Sequence, residues 1–112
     1  MLDLLQKSSK SQPDIWRQGD VFIIAMPNLP HLGRVERSPV LAEGEVTGHS
    51  HALADPASGQ VFAVRGELYL EVIADCATIV HEEHGAVTLP RGGYAIRIQR
   101  EYSPKEIRQV VD

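Results

Sequence analysis

The sequence predicts a small all-β domain, a barrel or a sandwich that ends in a short C-terminal helix. Three observations predict it. Apolar runs recur at intervals of about 8–12 residues with Gly, Pro or Asn between them, a spacing that belongs to sandwiches and barrels rather than to βαβ units. Val and Ile, whose stiff χ1 suits a pleated surface, must supply most of the core, because aromatic residues are few (Trp16, Phe22, Phe62, Tyr69, Tyr94 and Tyr102). No helical period of useful length interrupts the pattern.

The elements follow in order. Residues 1–13 read as a flexible tail, polar at Lys7-Ser8-Ser9-Lys10-Ser11. The alternative is an arm carrying Leu2, Leu4 and Leu5 onto a partner subunit. Residues 14–112 form one domain, a length that can bury a single core without staples. Gly19-Asp20 precede the apolar run from Val21 to Met26, a buried strand that Pro27-Asn28-Leu29-Pro30 ends. Arg34 to Ala42 reads as a second strand with Pro39 as an edge or bulge marker. Thr47 to Leu53 is a third. Val61 to Val64 and Leu68 to Ile73 flank a glycine-containing turn at Arg65-Gly66-Glu67, and Ala77 to His81 and Ala86 to Leu89 flank a second hairpin. Tyr94 to Arg100 alternates, with Tyr94, Ile96 and Ile98 on one face. Ser103-Pro104-Lys105-Glu106 is a capping box with proline at the first helical position, so a short helix follows over Ile107 to Val111.

Composition excludes several functions. The formal charge is −4, and Arg91, Arg97, Arg100, Lys105 and Arg108 are interleaved with Glu101 and Glu106, so the basic footprint of a nucleic-acid binder is missing. No apolar run approaches the roughly 20 residues that span a bilayer, and no signal-peptide pattern is visible. One cysteine, Cys76, excludes an internal disulfide, and the expected location is the cytoplasm. Cys76 reads as a plain thiol in a turn. Ser50 sits in no nucleophile elbow, and Arg91-Gly92-Gly93 is followed by no helix that would make it a phosphate loop.

Histidine carries the chemistry. Four of the five fall into two tight pairs some thirty residues apart, His49/His51 and His81/His84. Residues two apart on a strand share a face with Cα atoms about 7 Å apart, so His49 and His51 can converge on one ion. Two surface histidines near a loop is the alternative. His81 and His84 share a face if they close a two-residue hairpin. If Gly85 instead takes a left-handed bulge position, His84 turns away and His81 pairs with Glu83. Asp55, Glu43, Glu45, Glu82 and Glu83 are the carboxylates that can complete a metal site. His31, between Pro30 and Leu32, reads as surface.

The run Gly44, His49, His51, Asp55, with Gly59 or Gly66 after it, resembles the first motif of the cupin superfamily. Gly85, Pro90 and Gly92 resemble the second. The second motif's histidine falls near Tyr94 or Ala95, so the resemblance implies that His81 or His84 takes its place. It also implies a small β-barrel whose mouth holds Fe, Mn, Ni or Zn. The expected protein is thus a cupin-like binder of a divalent transition metal through His49, His51, His81 and His84, a homodimer, acting on a small molecule. Glu45, Glu82 and Tyr94 are its candidate proton carriers. The alternative is a metal-free β module for protein–protein interaction or assembly.

Overall fold

A computed structural model describes residues 13–43 and 49–99 of the chain. Its strands are β1 (Ile15–Gln18), β2 (Val21–Ala25), β3 (Val35–Glu36), β4 (Val40–Glu43), β5 (Ser50–Leu53), β6 (Gly59–Val64), β7 (Glu67–Val80) and β8 (Val87–Ile98), with a 3-10 turn at Pro56–Ser58. All pair antiparallel in one sheet ordered β1-β2-β8-β7-β5-β4. β6 pairs with the first half of β7 and carries β3 on its outer edge. Among the described residues, the end strands β1 and β4 do not pair with each other. The expected tail, the C-terminal helix and residues 44–48 lie outside the described residues.

The long β7–β8 hairpin organises the sheet. The sequence suggests two strands on each side of it, but each side runs through, with a register shift between Val72 and Cys76. The shift changes the inward phase. Leu70 and Val72 face the core before it, and Ala77 and Ile79 after it. On β8, Leu89 precedes the same change and Tyr94 and Ile96 follow it. Gly92 sits there at φ +148°, where a side chain would be strained. Cys76 therefore lies on a strand, exposed, rather than in a turn.

Alternation gives the sheet two apolar faces. One buries Val21, Ile23, Val61, Leu70, Ile79 and Leu89 completely, with Trp16 packed against them. The other is smaller: Phe62, Val64, Tyr69 and Ala95, covered by Met26 and Leu29 after β2. Arg34 lies over the Phe62 ring at 3.8 Å and pairs with Glu36 and Glu71, closing that face. Pro39, which has no N–H to give a ladder, separates β3 from β4 where the sequence suggests one strand. The turn between β6 and β7 is the expected one. Arg65 and Gly66 both have positive φ, the type I′ pattern. β1 has no counterpart in the sequence reading.

Candidate metal centre

The site forms at one end of the larger core, and strand register builds it. On β5, His51 and Leu53 both face inward, His51 being 5% exposed. β5 pairs Leu53 with Ile79 and Ala52 with Val80. Continuing that register one step sets His51 against His81, and their ring centroids lie 4.2 Å apart. Two steps further it sets His49 against Glu83, and His49 Nδ1 lies 3.6 Å from Glu83 Oε2. The His49 and His81 centroids are 5.6 Å apart.

His84 arrives through the loop joining β7 to β8. The loop is longer than a two-residue hairpin, since β7 ends at Val80 and β8 begins at Val87. Gly85 is not among the positive-φ glycines, so the left-handed bulge is not used either. Instead the His81 ring caps the loop. Its Nδ1 accepts the Glu83 N–H at 3.0 Å and the His84 N–H at 3.3 Å. This folds His84 back, with centroids 4.7 Å from His81 and 6.3 Å from His51. Gly19, at φ +60° in the β1–β2 turn, leaves room for it: a Cβ there would lie 2.6 Å from His84 Nε2. The four histidines singled out by sequence thus lie in one cluster of ring contacts, within which His49 and His81, with Glu82, have ligand atoms close enough to share an ion.

Two residues that the sequence reading missed complete the environment. Gln18 is 2% exposed, and its Nε2 donates to Ile79 O and Gly85 O, each at 2.9 Å. Its Oε1 is therefore the acceptor, and His51 Nδ1, 2.9 Å away, donates to it. Its other ring nitrogen, Nε2, faces Asp20 Oδ1 at 3.6 Å. Burial first, then proximity to His81, lowers the His51 pKa below the ordinary 6.5, and Asp20 pulls the other way. This direction favours the neutral ring, the form that ligates a metal. The available signal was a glutamine two residues after Trp16, directly before Gly19-Asp20, but it has meaning only once β1 is recognised.

The carboxylates divide. Glu82 Oε1 accepts the Ser50 N–H at 3.0 Å, and its own and the Ser50 amides keep its pKa low, helped by His49 and His81. His49, His81 and Glu82 offer ligand atoms all within 4.8 Å of one another. Glu43 and Glu83 line the adjoining cleft, of about 480 Å³, with the histidines. Asp55 caps the 3-10 turn by accepting the Ala57 N–H. Glu45 lies outside the described residues. His31 is exposed, stacked on Phe62 away from the cluster, as expected.

The model of the family described as Domain of unknown function (DUF8820) matches residues 17–99. The chain belongs to this family. The matched span runs from β1 to the last turn after β8 and includes Gln18, Asp20 and the four clustered histidines. No curated protein and no solved structure matches the chain.

Proposed function

We propose that this DUF8820 chain is a cupin-like metalloprotein that holds a divalent transition metal (Zn, Fe, Mn or Ni) at His49, His51, His81 and His84 and uses it on a small molecule. The observation that carries the reading is the convergence of four imidazoles from two distant segments, with His51 and His81 in ring contact. The donor set fits the ion: imidazole suits Zn, Fe and Ni, and adjacent carboxylate oxygens extend the set to Mn. A cleft of about 480 Å³ beside the cluster falls in the size range of small-molecule sites. The cupin-like barrel belongs to this reading, supported by eight antiparallel strands among the described residues that enclose one large apolar core. The exposed single thiol suits a reducing cytoplasm, and no helix among the described residues is long and apolar enough to cross a membrane.

A bound ion would act as a Lewis acid and lower the pKa of a water ligand. The chain's own groups then do the rest. His51 presents a fixed lone pair, and Glu83, exposed opposite His49, can carry a proton between the site and solvent. His81 has a choice to make. A neutral imidazole has one lone-pair nitrogen, and His81 uses it on two loop amides. Ligation by His81 takes the ring out of that cap.

Metal analysis of protein purified without a histidine tag tests the proposal. We expect near-stoichiometric transition metal in the wild type and its loss in a His49→Ala/His51→Ala variant. A wild type that stays metal-free after incubation with Zn, Mn, Ni and Fe(II) refutes it. The assembly reading rests on Leu32 and Val35, 83% and 57% exposed beside the β3 edge. A metal-free wild type that sediments as a dimer would favour that reading.

A further inference from the structure

We infer that the inner half of the metal centre is supplied by the β1–β2 hairpin: Asp20 is a carboxylate ligand beside His51 Nε2, and Gln18 is the positioning residue that keeps this nitrogen free of a proton. The inference rests on the metal reading above and names a ligand, Asp20, that neither the sequence pattern nor the cupin resemblance supplies.

The argument begins with Gln18. A side-chain amide can be turned over, but here its orientation is fixed because both groups facing Nε2 are carbonyls, Ile79 O and Gly85 O. The remaining oxygen can only accept, so His51 must carry its proton on Nδ1. A metal-bound histidine commonly donates its other ring N–H to a neighbouring acceptor, which fixes both tautomer and orientation. Gln18 provides that acceptor, within the buried end of the core.

His51 Nε2 then meets Asp20 Oδ1 at 3.6 Å, with a lone pair on each atom. With Nδ1 held by Gln18, Nε2 is the ring nitrogen left to ligate, and an ion seated between it and Asp20 Oδ1 would be held by both. Neighbouring ligands each at about 2.0–2.1 Å from one ion stand roughly 2.9–3.4 Å apart, close to the separation observed. Asp20 is placed for this by its turn. Gly19, with φ +60° at the first central position, follows the type II′ pattern, and the Gln99 N–H donates to Asp20 O at 2.7 Å. The Asp20 side chain is 58% exposed, so an ion can reach it from the cleft. The other acids sit differently: Glu82 and Glu83 stand on the His49 side of the cluster, Glu43 lines the cleft, and Asp55, the acid of the cupin pattern, caps the 3-10 turn, so Asp20 is the carboxylate that faces His51.

Zn²⁺ titration by competition with a chromophoric chelator, together with ¹⁵N chemical shifts of the imidazoles, tests this. In metal-free wild type, His51 should show a protonated Nδ1 and an unprotonated Nε2. Gln18→Met should mix the two tautomers and weaken Zn²⁺ binding by about 10–100-fold. Asp20→Asn, at an exposed turn, should leave the tautomer and the fold intact and lose about tenfold or more in affinity. Asp55→Asn, which can still cap, should bind like the wild type. A wild-type His51 protonated on Nε2 overturns the role of Gln18, whatever binds. Wild-type affinity in Asp20→Asn, or a matching loss in Asp55→Asn, overturns the role of Asp20 while leaving the histidine site standing. Absence of Zn²⁺ uptake by the wild type removes the metal reading and the Asp20 assignment together.

Discussion

Replacing Gln18 by leucine separates a structural polar network from an incidental one. The substitution keeps the side chain similar in size but makes it apolar, removing the donors to Ile79 O and Gly85 O and the acceptor for His51 Nδ1–H. A buried group left without its partner costs about 1–3 kcal/mol. Gly85 is exposed, so water can serve its carbonyl, whereas Ile79 and His51 are buried. Two orphaned groups, less the gain from a buried leucine, predict a loss of roughly 2–4 kcal/mol. That is a large share of the 5–15 kcal/mol typical of a domain. The assay is urea unfolding of metal-free protein at neutral pH, where a slope of about 1–3 kcal/mol/M turns the loss into a midpoint drop of the order of 1–2 M. The double variant Gln18→Leu/His51→Leu should lose less than the sum of the singles, because removing both partners leaves no orphan between them. A single-variant loss under about 1 kcal/mol, or strict additivity in the cycle, would refute the network.

Three further outcomes follow from the same geometry. Because burial holds folded His51 below 6.5, the unfolded chain binds the proton first as pH falls. Metal-free stability should therefore be insensitive to this group above 6.5 and decline below it, and in a urea series His51→Leu should show a shallower acid slope than wild type; equal slopes would contradict this. Gly19→Ala places a residue at φ +60° and a Cβ 2.6 Å from His84 Nε2. It should cost about 1–2 kcal/mol and weaken Zn²⁺ binding, while Gly33→Ala, also at positive φ but with open space around it, should leave binding unchanged. His81→Asn can still accept loop amides, as Asn does in an Asx turn, and should be more stable than His81→Ala without metal; neither should bind the ion as the wild type does. Faster hydrogen exchange of the Glu83 and His84 amides on adding Zn²⁺ would report release of the wild-type cap, and unchanged exchange would exclude His81 as a ligand.

Much of the site was legible because strand periodicity is local. His49-Ser50-His51 puts two imidazoles on one face wherever the strand lies, and the all-β class follows from branched aliphatics and turn residues. Partnership was not legible. That His51 meets His81 depends on the β5–β7 register, which Leu53 and Ile79 set from inside the core. The loop geometry depends on a histidine serving as an amide acceptor, and no turn signal in His81-Glu82-Glu83-His84 encodes that. β1 escaped notice because Trp16-Arg17-Gln18 buries a glutamine where a strand pattern expects an apolar residue, so the positions nearest the site broke the pattern. The unbroken β7 and β8 were hidden for a related reason: the phase change between Val72 and Cys76 reads as an interruption when it is a correction that keeps one face inward.

The most direct measurement is anomalous diffraction at the zinc edge from crystals grown with Zn²⁺. The account predicts one strong peak in the cleft between β5, the β7–β8 loop and the Gly19-Asp20 turn, within about 2.0–2.1 Å of His51 Nε2. A peak bound elsewhere on the surface, or none at saturating zinc, would contradict it.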